Sequence, residues 1–240
     1  MSKVEILTPS KHAELKYASS VHFQGCAELG SIMIVPYEFI EVQREYPIVF
    51  RKDPESGQFL ANAMLGLILN QNLYVNDGQW LGSYIPLAIA RGPFMIGSQN
   101  QLVNGESQPT SVICANLDDP SLSQGQGEAL FDSGGQTSEQ LKAISRALGE
   151  LQAGLELGSE MTKAFIEFDL LEPMKLDIEL KNGEKMSIAG VYTVSDDKLS
   201  NLPAEALHYL NQKGYLRMAF AVVNSVNNVQ KLIDMKNASL

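Results

Sequence analysis

Residues 46–94 constrain the fold of this chain more than any other stretch. They read YPIVF, then a DPESG turn, then LGLILNQNLYVNDGQWLGSYIP, and close on RGPF. Apolar, strand-like runs therefore lead into a dense loop of asparagine, aspartate and aromatic residues. Residues 48–52 read as one strand, DPESG as its turn and residues 59–69 as the return strand. Alternation in the return run is imperfect, with alanine, methionine and glycine interleaved, which suits a strand covered on both faces. Upstream, residues 31–35 (SIMIV) form a short strand. Pro36 then opens a short helix carrying Phe39, Val42 and Tyr46 on one side, and Pro47 ends it.

Residues 97–135 are rich in glycine, serine, glutamine and asparagine and hold one strand-like run, residues 111–117. The rest of that segment reads as a long functional or mobile loop. From Thr137 the pattern turns helical, with Thr137 and Gln140 spaced as a capping box. Leu141, Ile144, Leu148, Leu151 and Leu155 recur on one helical face. Gly149, Gly154 and Gly158 weaken that helix toward an interruption. Two alternating runs flank Lys181-Asn182-Gly183, a strong hairpin signal. Ser195 is placed to cap a following turn, and Asp196 and Asp197 suit its N-terminal end. Pro203 opens a helix carrying Leu207, Tyr209 and Leu210, which Lys213-Gly214 closes. Residues 215–223 read as a last buried strand, and a terminal helix follows with Val226, Val229 and Ile233 on one side. Strands and helices are mixed rather than regularly alternated, so the expected class is α+β, a mainly antiparallel sheet with packed helices. One domain spanning residues 1–240 is expected, its single candidate lobe boundary lying within residues 97–135.

A chain of 240 residues buries roughly 70–75% of its unfolded surface and needs no metal or disulfide for stability. Its 28 acidic and 18 basic residues leave a formal charge of −10, which repels phosphate backbones and anionic headgroups. No run of lysine or arginine offsets that field, so nucleic acid is not an expected partner. Cys26 and Cys114 match no metal or redox spacing and read as reduced core thiols. A membrane-spanning helix needs about 20 predominantly apolar residues, and the best runs, residues 60–69 and 218–223, are far shorter. The charged N-terminus lacks the apolar segment of a secretory signal, so a cytoplasmic address is expected.

The sequence holds no phosphate-binding loop, no zinc-protease motif and no nucleophile elbow. Gly125-Gln126-Gly127 begins a dinucleotide fingerprint, but Leu130 stands where its third glycine belongs. His22 and Cys26 are four residues apart with Glu28 nearby, short of the four ligands of structural zinc. A Cys26–His22 nucleophilic pair would need a third, orienting group. No catalytic residue, metal or cofactor is assigned. The candidate ligand site is Asn72, Asn76, Asp77, Trp80, Tyr84 and Arg91, a mixture of aromatic walls and a few polar groups. Its competing reading is structural: Asn76-Asp77-Gly78 as a hairpin turn, Trp80 covering the core and Arg91 bonded internally.

The same stretch resembles the SapC family of bacterial proteins. Members carry a similar YPIVF run, a G-x-N-L-F/Y-V-D-x-G-x-W turn, a Y-I/V-P step and an R-Y-P-F-like close. The order continues through LLEP (residues 170–173), GVYTVSDDKLSNLP (residues 190–203) and KGYLRMAFAVVNSVNN (residues 213–228), so the resemblance covers nearly the whole chain. It points to the S-layer-associated group and not to the transporter permease that shares the label. Where the family tends to read R-R-Y-P-F, this chain has Ala90-Arg91-Gly92-Pro93-Phe94, and only Arg91 can inherit a role from the arginine pair. Family genes often lie beside those of flavin-dependent halogenases, cupin-like oxygenases and TonB-dependent receptors. That association implies a role linked to modification or uptake of peptides or other nutrients. The leading expectation is a soluble, non-enzymatic binding or accessory protein with a peptide or small-molecule ligand or a protein partner. Its alternatives are an enzyme on such a substrate, with Asp77 as acid or base and Arg91 as anchor, and a surface-layer component.

The charge alone generates one prediction. At physiological salt the protein should not retard DNA or RNA in a gel-shift titration; micromolar affinity that falls steeply with salt would contradict it.

Overall fold

The computed structural model describes residues 3–103 and 106–240. Every strand pairing described in it is antiparallel, and helices accompany the sheets, so the chain is α+β. It divides into two compact units: Met1–Cys26, Asp77–Gln79 and Leu87–Glu150 form the first, and Ala27–Asn76, Trp80–Pro86 and Leu151–Leu240 the second. Residues 97–135, where a lobe boundary is expected, lie wholly within the first unit.

In the first unit the strands Phe94–Val103 and Glu106–Asn116 pair along their length, and Val4–Ile6 adds to the second of them. Much of the segment expected as loop is therefore ladder. Buried side chains cluster at the base, around Phe94, Cys114 and Ala115, while residues 107–109 are exposed. Outside that base the sequence carries no regular apolar alternation to read, although the backbone of Phe94–Val103 is paired throughout. Tyr17 meets Phe94 edge to face at 5.5 Å. With Leu130, Leu141, Ile144 and Leu148 they form this unit's core.

The second unit is organised on a five-stranded sheet in the order Leu171–Glu179, Lys185–Val194, Ile48–Lys52, Phe59–Met64, Ser31–Met33. The Asn182-Gly183 hairpin forms as expected, with Gly183 at φ 85°. Ile48, Val49 and Phe50 are fully buried, and Phe50 packs edge to face on Phe165 at 6.1 Å. The Ser225 hydroxyl accepts the Ile48 amide at 2.9 Å, and Asn228 Nδ2 donates to the Gln43 and Tyr46 carbonyls. Those bonds fasten the C-terminal helices to the start of the central strand.

Several expectations need correction. Residues 215–223 are not a strand: Tyr215–Ser225 is a helix that buries Tyr215, Ala219, Val222 and Ser225, and a short apolar run without alternation does not distinguish the two states. The return strand ends at Met64, because residues 65–74 fold back over Gly30. The long helix Glu139–Glu167 is uninterrupted, and its first turn is capped by Ser138, whose hydroxyl accepts the Leu141 amide at 3.2 Å. Leu155 departs from the buried stripe and is 48% exposed. Ser195 precedes the helix Asp196–Ser200 without a side-chain cap bond, and the next helix buries Ala206 and Leu210 in place of Leu207 and Tyr209.

The glycines of the long helix differ in what surrounds them. A Cβ on Gly154 would lie 2.5 Å from Val35 Cβ, whereas one on Gly149 would meet nothing within 4 Å. Gly149→Ala should stabilise the protein by about 0.8–1 kcal/mol through helix propensity. Gly154→Ala should instead destabilise it by about 1–3 kcal/mol through overpacking. Urea denaturation of the two variants checks this, and equal shifts would contradict it.

Candidate functional site

The residues expected at the site separate into those that knit the second unit and those that do not join them. Asn72 is buried; its backbone amide donates to the Ala27 carbonyl at 2.8 Å and its Oδ1 accepts the Tyr74 amide at 2.9 Å. Trp80 Nε1 donates to the Tyr46 hydroxyl at 3.0 Å and to the Tyr84 carbonyl at 3.1 Å. The Tyr84 hydroxyl donates to Glu38 Oε2 at 3.0 Å, and Glu38 Oε1 accepts the Val35 amide at 2.9 Å. Trp80 stacks with Tyr74 at 6.2 Å between ring centroids, and Tyr74 lies 4.4 Å from Tyr46. Burial raises the pKa of the Tyr46 and Tyr74 hydroxyls. Each donates to a backbone carbonyl, Tyr84 and Glu45 respectively.

Glu45 closes the same lattice, its carboxylate accepting both the hydroxyl and the amide of Ser83. Partial burial works to raise its pKa, but the Ser83 hydrogen bonds, with Lys231 and the Tyr84 amide, bring the net value down. Trp80, Tyr84 and Asn72 are thus committed to internal bonds. Asn76 and Asp77 are exposed on the turn, Asp77 at φ 47° and Gly78 at φ 72°. Both left-handed residues fit a tight hairpin turn. Asp77 and Arg91 belong to the first unit, where Arg91 donates to the Phe94 carbonyl at 2.6 Å.

The first unit also brings His22 Nε2 within 3.8 Å of Cys26 Sγ. That pair is not poised as nucleophile and base. His22 Nε2 sits 3.0 Å from the Ile89 carbonyl, a contact that places its proton there and leaves no lone pair for the thiol. Burial pushes the thiol up to about 11 and lowers the His22 pKa, so Cys26 stays protonated at neutral pH. No group of three or more metal-ligating side chains exists among the described residues.

Sequence reasoning gave no weight to a recess in the second unit. It has a volume of about 540 Å³, within the roughly 300–1,000 Å³ of small-ligand pockets. Residues 66–70 build one wall. Leu65 and Gly66 amides donate to the Gly30 carbonyl at 2.9 and 3.1 Å, and the Gly30 amide donates to Leu69 at 2.8 Å. A Cβ on Gly30 would lie 2.4 Å from the Ile68 carbonyl, and one on Gly66 2.0 Å from that of Gln71. The opposite wall is Met186–Ala189, beside a register slip between Met174 and Leu176. Gly190 adopts φ 76° there, and such a bulge re-aims the side chains next to it. Met64 and Leu67 line the interior, and Ile68 and Leu69 are 48% and 74% exposed. Arg51 enters from the central strand with its Nε buried and without a hydrogen-bond partner. The one signal for it in sequence is an arginine directly after three buried apolar residues. A smaller concavity of about 200 Å³ lies against Gly154, Gly158, Val35 and Phe59.

The fold and these concavities define an α+β chain with a recess of about 540 Å³ on an antiparallel sheet. A family model described as SapC matches residues 7–232, and the chain belongs to the SapC family. No curated protein and no solved structure matches it. Among the described residues no helix is long and apolar enough to cross a membrane.

The Glu45 lattice has a pH signature. Because its folded pKa is lowered from 4.5, the stability it contributes is complete above that unfolded value and is lost as pH falls through the folded one. Glu45→Gln should therefore be less stable than wild type near pH 7, with the gap closing toward acid. Urea midpoints across that range measure it, and a gap independent of pH would contradict the assignment.

Proposed function

We propose that this SapC-family chain is a soluble, cytoplasmic, non-enzymatic binding or accessory protein that holds a small, largely apolar molecule in the recess of its second unit. The observation that carries this reading is the recess itself, formed by backbone bonds at Gly30 and therefore present without ligand. Its walls of Met64, Leu67 and Ile188 with a single arginine match the usual composition of such sites, mostly apolar with a few polar groups. The two exposed residues Ile68 and Leu69 are apolar surface that a ligand would take from water, each stabilising the complex in proportion to the area covered. A role beside enzymes that modify or import peptides or nutrients, as the family resemblance implies, fits a carrier of such a molecule. The turn at Trp80 is the weaker location, because its ring nitrogen and the Tyr84 hydroxyl are already bonded within the protein.

Titration with the neutral dye Nile red tests the reading. Wild type should bind one dye per chain with blue-shifted emission. Ala189→Trp, which fills the recess from its rim, should weaken binding severalfold while leaving the melting temperature nearly unchanged. Equal binding by both proteins, or none by either, would overturn it.

A further inference from the structure

We infer that the recess is a site for a carboxylate carried on an apolar chain, anchored by Arg51; the inference rests on the reading of the recess as a ligand site. Arg51 is the one ionisable residue among those lining it. Its Nε is buried without a hydrogen-bond partner. Among the described residues no carboxylate lies within ion-pair distance of its guanidinium, whereas Arg44, Lys142, Lys175 and Lys198 each have one. Other cations of the chain also lack an ion pair, but Arg51 combines that with a buried, unbonded nitrogen and a place in the lining of a recess.

Physical chemistry then selects the ligand. A buried N–H of a charged group left unpaired is costly, and a partner brought by a ligand removes that cost. A guanidinium carries paired, parallel N–H donors, the arrangement that a carboxylate accepts in bidentate fashion. A neutral alcohol can take one of those bonds but leaves the charge uncompensated, and a cation is repelled. The remaining walls fix the other end of the molecule as apolar. Met64 and Met186 supply adaptable thioether surface, and the exposed Ile68 and Leu69 side chains offer contact to a chain leaving the recess. The net negative field of the protein disfavours anions at long range, so recognition depends on this short-range pairing. A free carboxylate on an apolar chain occurs both in a fatty acid and at the C-terminus of an apolar peptide.

Calorimetric titration of the intact protein tests the proposal. The probes are dodecanoate, dodecanol and dodecyltrimethylammonium below their micellar concentrations, with acetyl-trileucine and its C-terminal amide. Dodecanoate or acetyl-trileucine should bind about tenfold or more tightly than its uncharged counterpart, and whichever of the two binds tighter identifies the source of the carboxylate. Dodecyltrimethylammonium should not bind. Arg51→Gln should remove the preference for the acid while keeping weak binding of dodecanol. Equal affinity of wild type for acid and uncharged counterpart would overturn the anion assignment and leave the apolar recess standing. No binding of any probe, together with no Nile red binding, would overturn both. Should Arg51→Gln fail to fold, the wild-type probe series alone decides, and Arg51→Lys, which keeps the charge but loses the planar fork, should retain part of the preference.

Discussion

The second unit depends on a crossing of two backbones at Gly30. Its carbonyl accepts two amides from residues 65 and 66, and its amide returns a bond to Leu69. No side chain fits there, since a Cβ would sit 2.4 Å from one carbonyl oxygen and 2.5 Å from the next. Because the crossing fixes residues 65–74, it determines where Tyr74 stacks on Trp80 and where Leu67, Ile68 and Leu69 line the recess. Aromatic lattice and ligand cavity are therefore two consequences of one glycine contact. Substitution at Gly30 would remove both, through the clash itself and through the backbone bonds it displaces.

The lattice around Trp80 shows why aromatic and polar residues close in sequence are an ambiguous sign of a binding site. Tyr46, Tyr74, Trp80 and Tyr84 bury large surfaces, and each polar tip must find a partner when water is excluded. The chain supplies those partners itself: the Glu38 carboxylate, the Tyr46 hydroxyl and the backbone carbonyls of Glu45 and Tyr84 accept. The recess follows a different rule. Its walls leave one cationic nitrogen buried and unsatisfied, the kind of exception that a stable fold tolerates where something else completes it.

Features set by local chemistry were legible in the sequence. Asn182-Gly183 specified its hairpin, and IVFRK specified the strand Ile48–Lys52 to the residue. Features set by distant partners were not. Glycine at positions 154 and 158 reads as helix weakness, yet the helix is whole and Gly154 exists because Val35 approaches it. The 215–223 run reads as a strand from its apolar content, and its helical period becomes meaningful only once the sheet it covers is known. At the candidate site Trp80 and Tyr84 meet through a hydrogen bond, while Asn72 bonds to Ala27 and Tyr74, and a sequence could not show that these polar atoms were already taken. Arg51, Leu67 and Ile188 are separated by up to 137 positions in the chain (188 minus 51). They meet only through strand order and a bulge, neither of which a single sequence displays.

The most direct test of this account is the side-chain Nε–H resonance of Arg51, observed by NMR with and without dodecanoate. On saturation that resonance should move strongly downfield and gain protection from exchange, as a charge-assisted hydrogen bond forms in place of an unpaired donor. An Nε–H signal that stays fixed while dodecanoate perturbs amides elsewhere would contradict it, placing the ligand away from Arg51.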